Sequence, residues 1–325
     1  MNHKDLCIAL AFPKLGVDEW IQLANTFVKP EFNNICFEIA ETKEELLKLN
    51  PPVIISHESN FVTEYIRDNP SQLRWIHFMS AGLNKTLSAL GKKCRPFSIT
   101  NVGGIHNAAM KEYVFCSILH FEKKISTWNL LKKQKKWIRE PLNILAGKKM
   151  LVLGTGNIGT AIAELAKAFS TEVTGISRSG KSKVPFDSVA TLRDLEAELP
   201  RSDYVVLALP LTDETLGIFD KRKFDLMNVD SIFINISRGE LIDEHALAEA
   251  LVHQKISGAA MDAFSEEPLG EDSTFWNTPN LLITPHVAGK FPEGRKLGMK
   301  IFTGNLHQFI NNRGLGNLVY PERGY

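Results

Sequence analysis

Glycines near the middle of the chain have the spacing of a loop that binds phosphate groups. The stretch Gly154-Thr155-Gly156-Asn157-Ile158-Gly159 reads G-x-G-x-x-G. Gly154 would permit a tight turn, Gly156 would let the backbone approach a pyrophosphate, and Gly159 would let a helix pack on a strand. Free N–H groups at the start of that helix would then bind the phosphates. Such glycine patterns also occur in ordinary turns, so the flanking residues must distinguish a phosphate-binding loop from an ordinary turn.

The residues around this loop predict the elements that would position it. Lys149 to Leu153, just before the loop, is a short apolar run of strand type. After the loop, apolar residues recur at helical spacing, and a second strand candidate runs from Glu172 to Ser177. Strand, glycine loop, helix and strand form the dinucleotide-binding unit of the Rossmann fold. A strand-to-helix turn in some other α/β protein is the alternative.

The composition excludes several classes of protein. The chain has 325 residues, of which 44% are hydrophobic and 23% charged, and this suits a globular protein of two domains. The net charge of +1 gives no general attraction to nucleic acid or to an anionic membrane. No apolar run is long enough to cross a bilayer. We therefore expect neither a nucleic-acid nor a membrane partner.

The N-terminus and the cysteines predict a cytoplasmic protein. The first residues lead directly into a short apolar strand, without the cleavage pattern of a signal peptide. Cys7, Cys36, Cys94 and Cys116 lie far apart and have no metal-type spacing. We interpret them as reduced cysteines, and we predict no metal site.

The order of elements predicts two α/β domains. Residues 1–100 alternate strand and helix patterns, as in a small doubly wound parallel sheet of flavodoxin type. Residues 101–289 continue the pattern and form the dinucleotide-binding domain. Residues 290–325 contain a further helix and are expected to pack back on the first domain. The helix Asn107–Glu122 is apolar over a wide arc, so we predict that it packs between domains or between the subunits of a homodimer.

Strand bounds follow from the apolar runs. In residues 1–100 the strand candidates are Leu6–Phe12, Ile35–Ile39, Val53–Ser56, Trp75–Met79 and Ser98–Val102. The later strand candidates of the dinucleotide-binding domain are Tyr204–Leu209, Ser231–Ile236, Ser257–Asp262 and Leu281–Thr284.

Three further stretches follow predicted strands, at the edge where open parallel sheets bind ligands. They are Asn235–Asp243, Met261–Pro268 and Leu282–Gly289. Together with the glycine loop, and in this order, they resemble the D-isomer-specific 2-hydroxyacid dehydrogenases. The resemblance covers most of the chain and is densest from Leu145 to Gly289. It implies an NAD(P)-dependent oxidoreductase with its substrate in the cleft between two domains.

The resemblance also implies an active site of three residues. The arginine, glutamate and histidine of the family match Arg238 in Ser-Arg-Gly, Glu267 before Pro268, and His286 in Thr-Pro-His. Reducing a 2-keto acid requires a proton on the oxygen, which His286 can supply near neutral pH. Glu267 would stabilise the protonated imidazole, and Arg238 would bind the substrate carboxylate as a two-pronged donor. Singly, each residue could be an ordinary surface or structural side chain.

The turn after the strand ending at Met79 is the predicted substrate-binding turn. In the family the matching turn donates backbone N–H groups to the substrate carboxylate, and this assigns Ala81 and Gly82 to substrate binding. A simple strand-to-helix turn is the alternative. His106, near the domain junction, could touch the substrate, cap a helix or pack in the core.

The end of the second strand of the dinucleotide unit predicts the cofactor. NAD enzymes of this fold place Asp or Glu on the ribose, about 20 residues past the glycines. This chain instead has Ser177, Arg178 and Ser179, which suit the 2′-phosphate of NADP. A basic surface turn that tolerates NAD as well is the alternative. The family match assigns further cofactor contacts to Pro210, Thr215, Ile236, Asp262 and Gly289, with Asp262 near the nicotinamide amide.

The expected reaction is therefore the NADPH-dependent reduction of a short 2-keto acid to its D-2-hydroxy acid. Glyoxylate, hydroxypyruvate and small alkyl keto acids all remain candidates. An NAD-linked dehydrogenase of the phosphoglycerate type is less favoured, because the length leaves no room for an added regulatory domain. A dinucleotide-sensing binding protein on the same scaffold is a second class, against which the intact set of Arg238, Glu267 and His286 argues.

Overall fold

The structure is a computed structural model that describes residues 6–13, 17–32, 34–91, 96–181 and 184–321. Strands and helices alternate along these residues. The strands are β1 Leu6–Ala11, β2 Ile35–Ala40, β3 Val53–Ser56, β4 Trp75–Phe78, β5 Ser98–Asn101, β6 Lys149–Leu153, β7 Glu172–Ile176, β8 Ser188–Ala190, β9 Tyr204–Leu207, β10 Ile232–Asn235, β11 Gly258–Met261 and β12 Leu281–Ile283. The α-helices are α1 Val17–Phe27, α2 Lys43–Leu49, α3 Asn60–Arg67, α4 Asn84–Leu90, α5 Asn107–Glu122, α6 Ile125–Lys133, α7 Asn157–Ala168, α8 Leu195–Glu198, α9 Lys221–Leu226, α10 Glu244–Val252 and α11 Gly294–Ile310.

The chain divides into two compact units. The first comprises Met1–Ile105 with Phe291–Tyr325, and the second comprises His106–Lys290. None of the described helices combines the length and the apolar run that crossing a bilayer requires.

The first unit is built on a parallel sheet with the strand order β2-β1-β3-β4-β5. Successive side chains of a strand point to opposite faces, so Ile8 and Ala9 enter different cores. On one face the fully buried ring of Trp75 stacks on Phe302 of α11, with ring centroids 4.9 Å apart. The last helix of the chain therefore completes the core of this unit.

The second unit has a parallel sheet of seven strands in the order β12-β11-β10-β9-β6-β7-β8. The order reverses between β6 and β9, which pair in parallel register, and such a reversal is where doubly wound sheets bind ligands. Helices α5 and α7 cover one face, over a core that includes Val152, Val206 and Ile234. Together, the two sheets confirm the predicted fold class: a Rossmann-type sheet and a smaller sheet of flavodoxin type.

Strand bounds agree with the expectations to within two residues, but several short elements were not predicted. These are α4, α6, α8 and β8. For α6 the physical reason is exposure, since none of its residues is buried and Leu130 is 55% exposed. A helix without a buried face has no amphipathic pattern that would predict it. Helix α5 was predicted with its observed bounds, and Val114, Phe115 and Ile118 pack into the core of its own unit.

The structure brings together two cysteines that are distant in sequence. Cys7 and Cys36 are register partners on β1 and β2, and their thiols lie within 4.8 Å of the Glu38 carboxylate. Burial, together with Cys36 and Glu38, raises the pKa of the Cys7 thiol to about 12. Without a bound ion this cysteine is therefore protonated at neutral pH. Cys94 lies outside the described residues.

Candidate active site

The glycine loop joins β6 to α7, and its glycines differ in what surrounds them. Gly154 has a φ of +112°, and a Cβ there would lie 2.3 Å from the carbonyl oxygen of Ala208. A Cβ on Gly159 would lie 1.9 Å from the carbonyl oxygen of Gly154. These two glycines are required by the protein's own packing. A Cβ on Gly156 would meet nothing within 4 Å, so that side of the loop is open to a ligand.

The open side of the loop coincides with the start of a helix. Gly156 is the N-cap of α7 and, having no side chain, makes no capping hydrogen bond to the first N–H groups. Uncapped N–H groups and the positive end of the helix dipole favour a phosphate at this point. The donor set therefore fits the pyrophosphate of a dinucleotide.

A glycine that was not predicted supports this loop from the neighbouring strand. A Cβ on Gly175 of β7 would lie 2.7 Å from Cγ2 of Thr155 and 2.8 Å from the ring of Phe186. Gly175 therefore makes room for the loop to pack against β7. A glycine inside a strand is a sequence signal for close approach of another segment, and it could have been recognised here.

The residues after β7 form an exposed turn that carries the predicted 2′-phosphate contacts. The hydroxyl oxygens of Ser177 and Ser179 accept hydrogen bonds from the N–H groups of Gly180 and Lys181. Both hydroxyls therefore keep a hydrogen to donate. An acidic residue that was not predicted lies nearby, since Nη2 of Arg178 is 3.6 Å from Oε2 of Glu214.

The loop after β9 is closed by one of the predicted cofactor residues. The Thr215 hydroxyl donates to the carbonyl oxygen of Pro210 at 2.6 Å and accepts from the N–H of Thr212 at 2.9 Å. Thr215 is 5% exposed, so its hydroxyl fixes the turn in which Pro210 lies. Its contact with a cofactor remains a prediction.

Arg238 follows β10 in a loop that is held from both sides. The buried Asn235 side chain donates to the carbonyl oxygen of Arg238 and accepts from the N–H of Ser237, both at 2.9 Å. A Cβ on Gly239 would lie 2.0 Å from the backbone nitrogen of Ser265. This loop therefore packs directly on the segment that leads to Glu267. Ile236 has its side chain in the core, which leaves only its backbone for a cofactor.

His286 and Glu267 form the central pair of the candidate site. Nδ1 of His286 lies 3.0 Å from Oε1 and 2.9 Å from Oε2 of Glu267. Because a carboxylate accepts, the pair fixes Nδ1 as the donor and leaves Nε2 for proton transfer. Burial works to raise the pKa of Glu267, but the N–H of Phe264, His286 and Arg238 outweigh it and hold this pKa below its usual value. Glu267 is therefore ionised at neutral pH.

Asp262 holds the loop on which His286 lies. Asp262 is 1% exposed, and its carboxylate accepts from the N–H groups of Val287 and Ala288, each at 2.9 Å, and from the Thr284 hydroxyl at 2.6 Å. The structure thus gives Asp262 a positioning role that was not predicted, and its contact with the nicotinamide amide remains a prediction. Gly289 ends the same loop, and its carbonyl oxygen accepts from Nδ1 of His106 at 2.8 Å.

The predicted substrate-binding turn, Ala81 and Gly82, follows β4 in the first unit. The Asn101 amide donates to the carbonyl oxygen of Ala81 at 2.8 Å, and its oxygen accepts from the N–H of Gly103. Asn101 is thus a support of this turn that sequence reasoning missed. Substrate binding by Ala81 and Gly82 stays a prediction.

Comparison with known proteins agrees with this geometry. Residues 115–288 match the family model described as D-isomer specific 2-hydroxyacid dehydrogenase, NAD binding domain. A glyoxylate reductase of Thermococcus gammatolerans is 28% identical over 325 residues, covering 97% of this chain and 95% of that protein. A glyoxylate reductase of Aeropyrum pernix is 32% identical over 233 residues, covering 69% of this chain and 70% of that protein.

A solved structure extends the similarity to the whole fold. A D-isomer specific 2-hydroxyacid dehydrogenase family protein of Aeromonas salmonicida has a TM-score of 0.83 and 30% identity, with 96% of this chain and 98% of that chain covered. The family model alone spans more than half of the residues, and it includes Arg238, Glu267 and His286. The chain belongs to the D-isomer-specific 2-hydroxyacid dehydrogenases, enzymes that transfer a hydride with a nicotinamide dinucleotide.

Proposed function

We propose that the protein uses NADPH to reduce a short 2-keto acid to its D-2-hydroxy acid. The observation that carries this proposal is the pair of His286 and Glu267, with Arg238 beside it, on the same sheet edge as the glycine loop. Similarity to relatives named glyoxylate reductase and glyoxylate/hydroxypyruvate reductase supports glyoxylate and hydroxypyruvate as the first substrates to test.

Each residue of the site has a separate role in this reaction. The reduced nicotinamide, when bound, supplies the hydride to the carbonyl carbon. Nε2 of His286 gives a proton to the carbonyl oxygen, while Glu267 stabilises the protonated ring before transfer. The guanidinium of Arg238 binds the substrate carboxylate and draws charge from the carbonyl.

Arg178, Ser177 and Ser179 support NADPH rather than NADH as the reductant. The arginine offers positive charge, and each hydroxyl keeps a hydrogen to donate to a 2′-phosphate. Glu214 opposes this preference, because its carboxylate lies beside the guanidinium and repels a phosphate. The side chains of Arg178 and Glu214 are 61% and 68% exposed, so water and salt weaken both effects. We therefore expect a moderate preference.

The homodimer remains part of the proposal, and we add the exposed segment that follows α5 to the surface predicted on that helix. Helix α5 packs on its own core, whereas residues 132–144 are exposed along their whole length. Large apolar side chains are exposed in and just before this segment, including Trp137 at 88%, Ile144 at 64% and Leu130 of α6 at 55% exposure. Large apolar side chains exposed close together in sequence are typical of an interface. We assign it to a second copy of the chain.

The absorbance of NADPH, followed with a panel of keto acids, tests the proposed function. Oxidation of NADPH by glyoxylate, hydroxypyruvate or pyruvate, lost in His286→Ala, is the expected result. Tight binding of NADPH without turnover of any keto acid would instead identify a dinucleotide sensor. Faster oxidation of NADH by a phosphorylated hydroxypyruvate than of NADPH by glyoxylate would indicate the phosphoglycerate type.

A further inference from the structure

One face of helix α5 and its cap residue contact the loop that carries His286. His106, Met110 and Tyr113 have the spacing i, i+4 and i+7, which places them on one side of a helix. His106 donates to the carbonyl oxygen of Gly289, and a Cβ on Gly289 would lie 3.1 Å from Cε of Met110. Oη of Tyr113 lies 2.7 Å from the Thr284 hydroxyl.

The direction of the hydrogen bonds between these residues follows from their chemistry. Thr284 has a single hydroxyl hydrogen, and it donates this hydrogen to Oδ1 of Asp262 at 2.6 Å. Thr284 must therefore accept from Tyr113, which donates its phenolic hydrogen. Burial is the largest of the causes that raise the pKa of Tyr113 to about 12, so this donor keeps its hydrogen at neutral pH.

Asp262, which receives this chain of hydrogen bonds, binds three successive N–H groups of the loop. Its backbone carbonyl accepts from His286 at 2.8 Å, and its carboxylate accepts from Val287 and Ala288. The backbone of His286 is left-handed, with a φ of +53°, a conformation that residues other than glycine rarely adopt. Such a conformation persists only where the surrounding contacts impose it.

We propose that Tyr113 is a positioning residue for His286, acting through Thr284 and Asp262. Its hydroxyl orients Thr284 so that the single hydrogen of Thr284 points to Asp262, and Asp262 in turn imposes the backbone from which His286 reaches Glu267. This inference rests on the proposed role of His286 as proton donor.

The test compares kinetic constants of variants along this chain. In Tyr113→Phe, kcat should fall about tenfold, because one neutral buried hydrogen bond corresponds to roughly that factor. The dissociation constant of NADPH should change much less than kcat, because the glycine loop that binds the pyrophosphate is untouched. Thr284→Val should lower kcat further, and Thr284→Ser, which keeps the hydroxyl, should recover most of that loss.

The double variant Tyr113→Phe/Thr284→Val shows whether Tyr113 affects kcat through Thr284. If Tyr113 acts through Thr284, the double variant should have the kcat of Thr284→Val alone. If the loss of kcat in the double variant equals the product of the two single losses, the proposed path is wrong. A wild-type kcat in Tyr113→Phe would overturn the positioning role. Neither result would affect the proton-donor role of His286, which His286→Ala tests separately.

Tyr204→Phe is the matched control for loss of stability. Tyr204 is fully buried in the same unit and donates to Glu122, at the other end of α5, at 2.6 Å. This variant should lower the melting temperature and leave kcat unchanged. An equal fall of kcat in Tyr204→Phe and Tyr113→Phe would show a general effect of lost stability and would overturn the proposal.

Discussion

Nδ1 of His286 lies within 3.0 Å of both carboxylate oxygens of Glu267, while the backbone N–H of Phe264 donates to the same carboxylate. The carboxylate is thus fixed by the backbone of its own loop and in turn fixes the imidazole ring. Because Nδ1 is committed to Glu267, Nε2 is the ring nitrogen left for the proton transfer that we propose.

His286→Ala should lower kcat by about 10²–10⁴-fold, the usual contribution of a general acid. The dissociation constant of NADPH, measured by fluorescence titration, should change little. His307→Ala is a matched control, because His307 also pairs with a glutamate, Glu31, but on the exposed face of α11. Wild-type turnover in His286→Ala would exclude His286 as the proton donor.

Glu267→Gln should move to lower pH the alkaline limb of the reduction profile, where activity falls as the general acid loses its proton, and should therefore slow the reaction near neutrality. The pKa of Glu267 is held below its usual value, so the wild-type carboxylate is ionised at neutral pH. The charge of Glu267 stabilises the site at every pH above the ordinary pKa of glutamate. This stabilisation is lost only as the pH falls through the lowered pKa of Glu267. A neutral amide lacks the charge that stabilises a protonated imidazole, so proton donation near neutral pH becomes less favourable.

The measurement for Glu267→Gln is kcat/KM for keto acid between about pH 5 and 8, where histidines titrate. Glu266→Gln is the control, because it removes the neighbouring charge and leaves the pair intact. If the midpoint of the profile stays the same in Glu267→Gln, the carboxylate does not control the protonation of His286.

Arg238→Lys should raise KM for the keto acid and also lower kcat. Lysine keeps the charge but lacks the planar fork that binds a carboxylate at two points. Steady-state kinetics at saturating NADPH measure both constants. Arg222→Lys, at an arginine whose side chain is 73% exposed, is the control for the substitution itself. Unchanged constants in Arg238→Lys would remove Arg238 from the site.

The predictable parts of the site are those whose sequence pattern lies within one short stretch of the chain. Gly154, Gly156 and Gly159 predict a phosphate loop, and the family resemblance of the later motifs predicts Arg238, Glu267 and His286 as the catalytic residues. Apolar runs also predicted the strands, because burial on both faces of a parallel sheet demands such runs. Local sequence carries this information directly.

Supports that act across the sheet were not predictable in this way. Tyr113 bonds to Thr284 across 171 positions of sequence, and Asp262 bonds to Ala288 across 26. Glu214 likewise reaches Arg178 from a different loop. Only the paired strands and the helix packed on them bring such residues together, and no local pattern marks them.

Trp137→Glu should convert the proposed homodimer to a monomer, because a charge buried in an apolar interface is costly. The molar mass in solution, measured by light scattering after size exclusion, gives the outcome. Val252→Glu is the control, since Val252 is also exposed, at 56%, but lies on α10. A monomeric wild type would contradict the dimer, and a dimeric Trp137→Glu would place the interface elsewhere.

Wild type should prefer NADPH to NADH, and Arg178→Ala should remove most of that preference. The two cofactors differ by one phosphate, which this fold places at the end of the second strand. A hydrogen bond between charged groups corresponds to about a 10- to 150-fold preference. The 61% exposure of the Arg178 side chain argues for the lower part of that range.

Glu214→Gln should change the preference for NADPH in the direction opposite to Arg178→Ala. Removing the carboxylate 3.6 Å from the guanidinium should raise the preference for NADPH, because less negative charge then opposes the phosphate. Both effects should shrink as salt is added, since they are interactions between exposed charges. The measurement is the ratio of kcat/KM with NADPH to that with NADH, at fixed low salt. A ratio that stays constant across wild type, Arg178→Ala and Glu214→Gln would show that this turn does not contact the 2′-phosphate. A wild type that favours NADH would reverse the cofactor assignment.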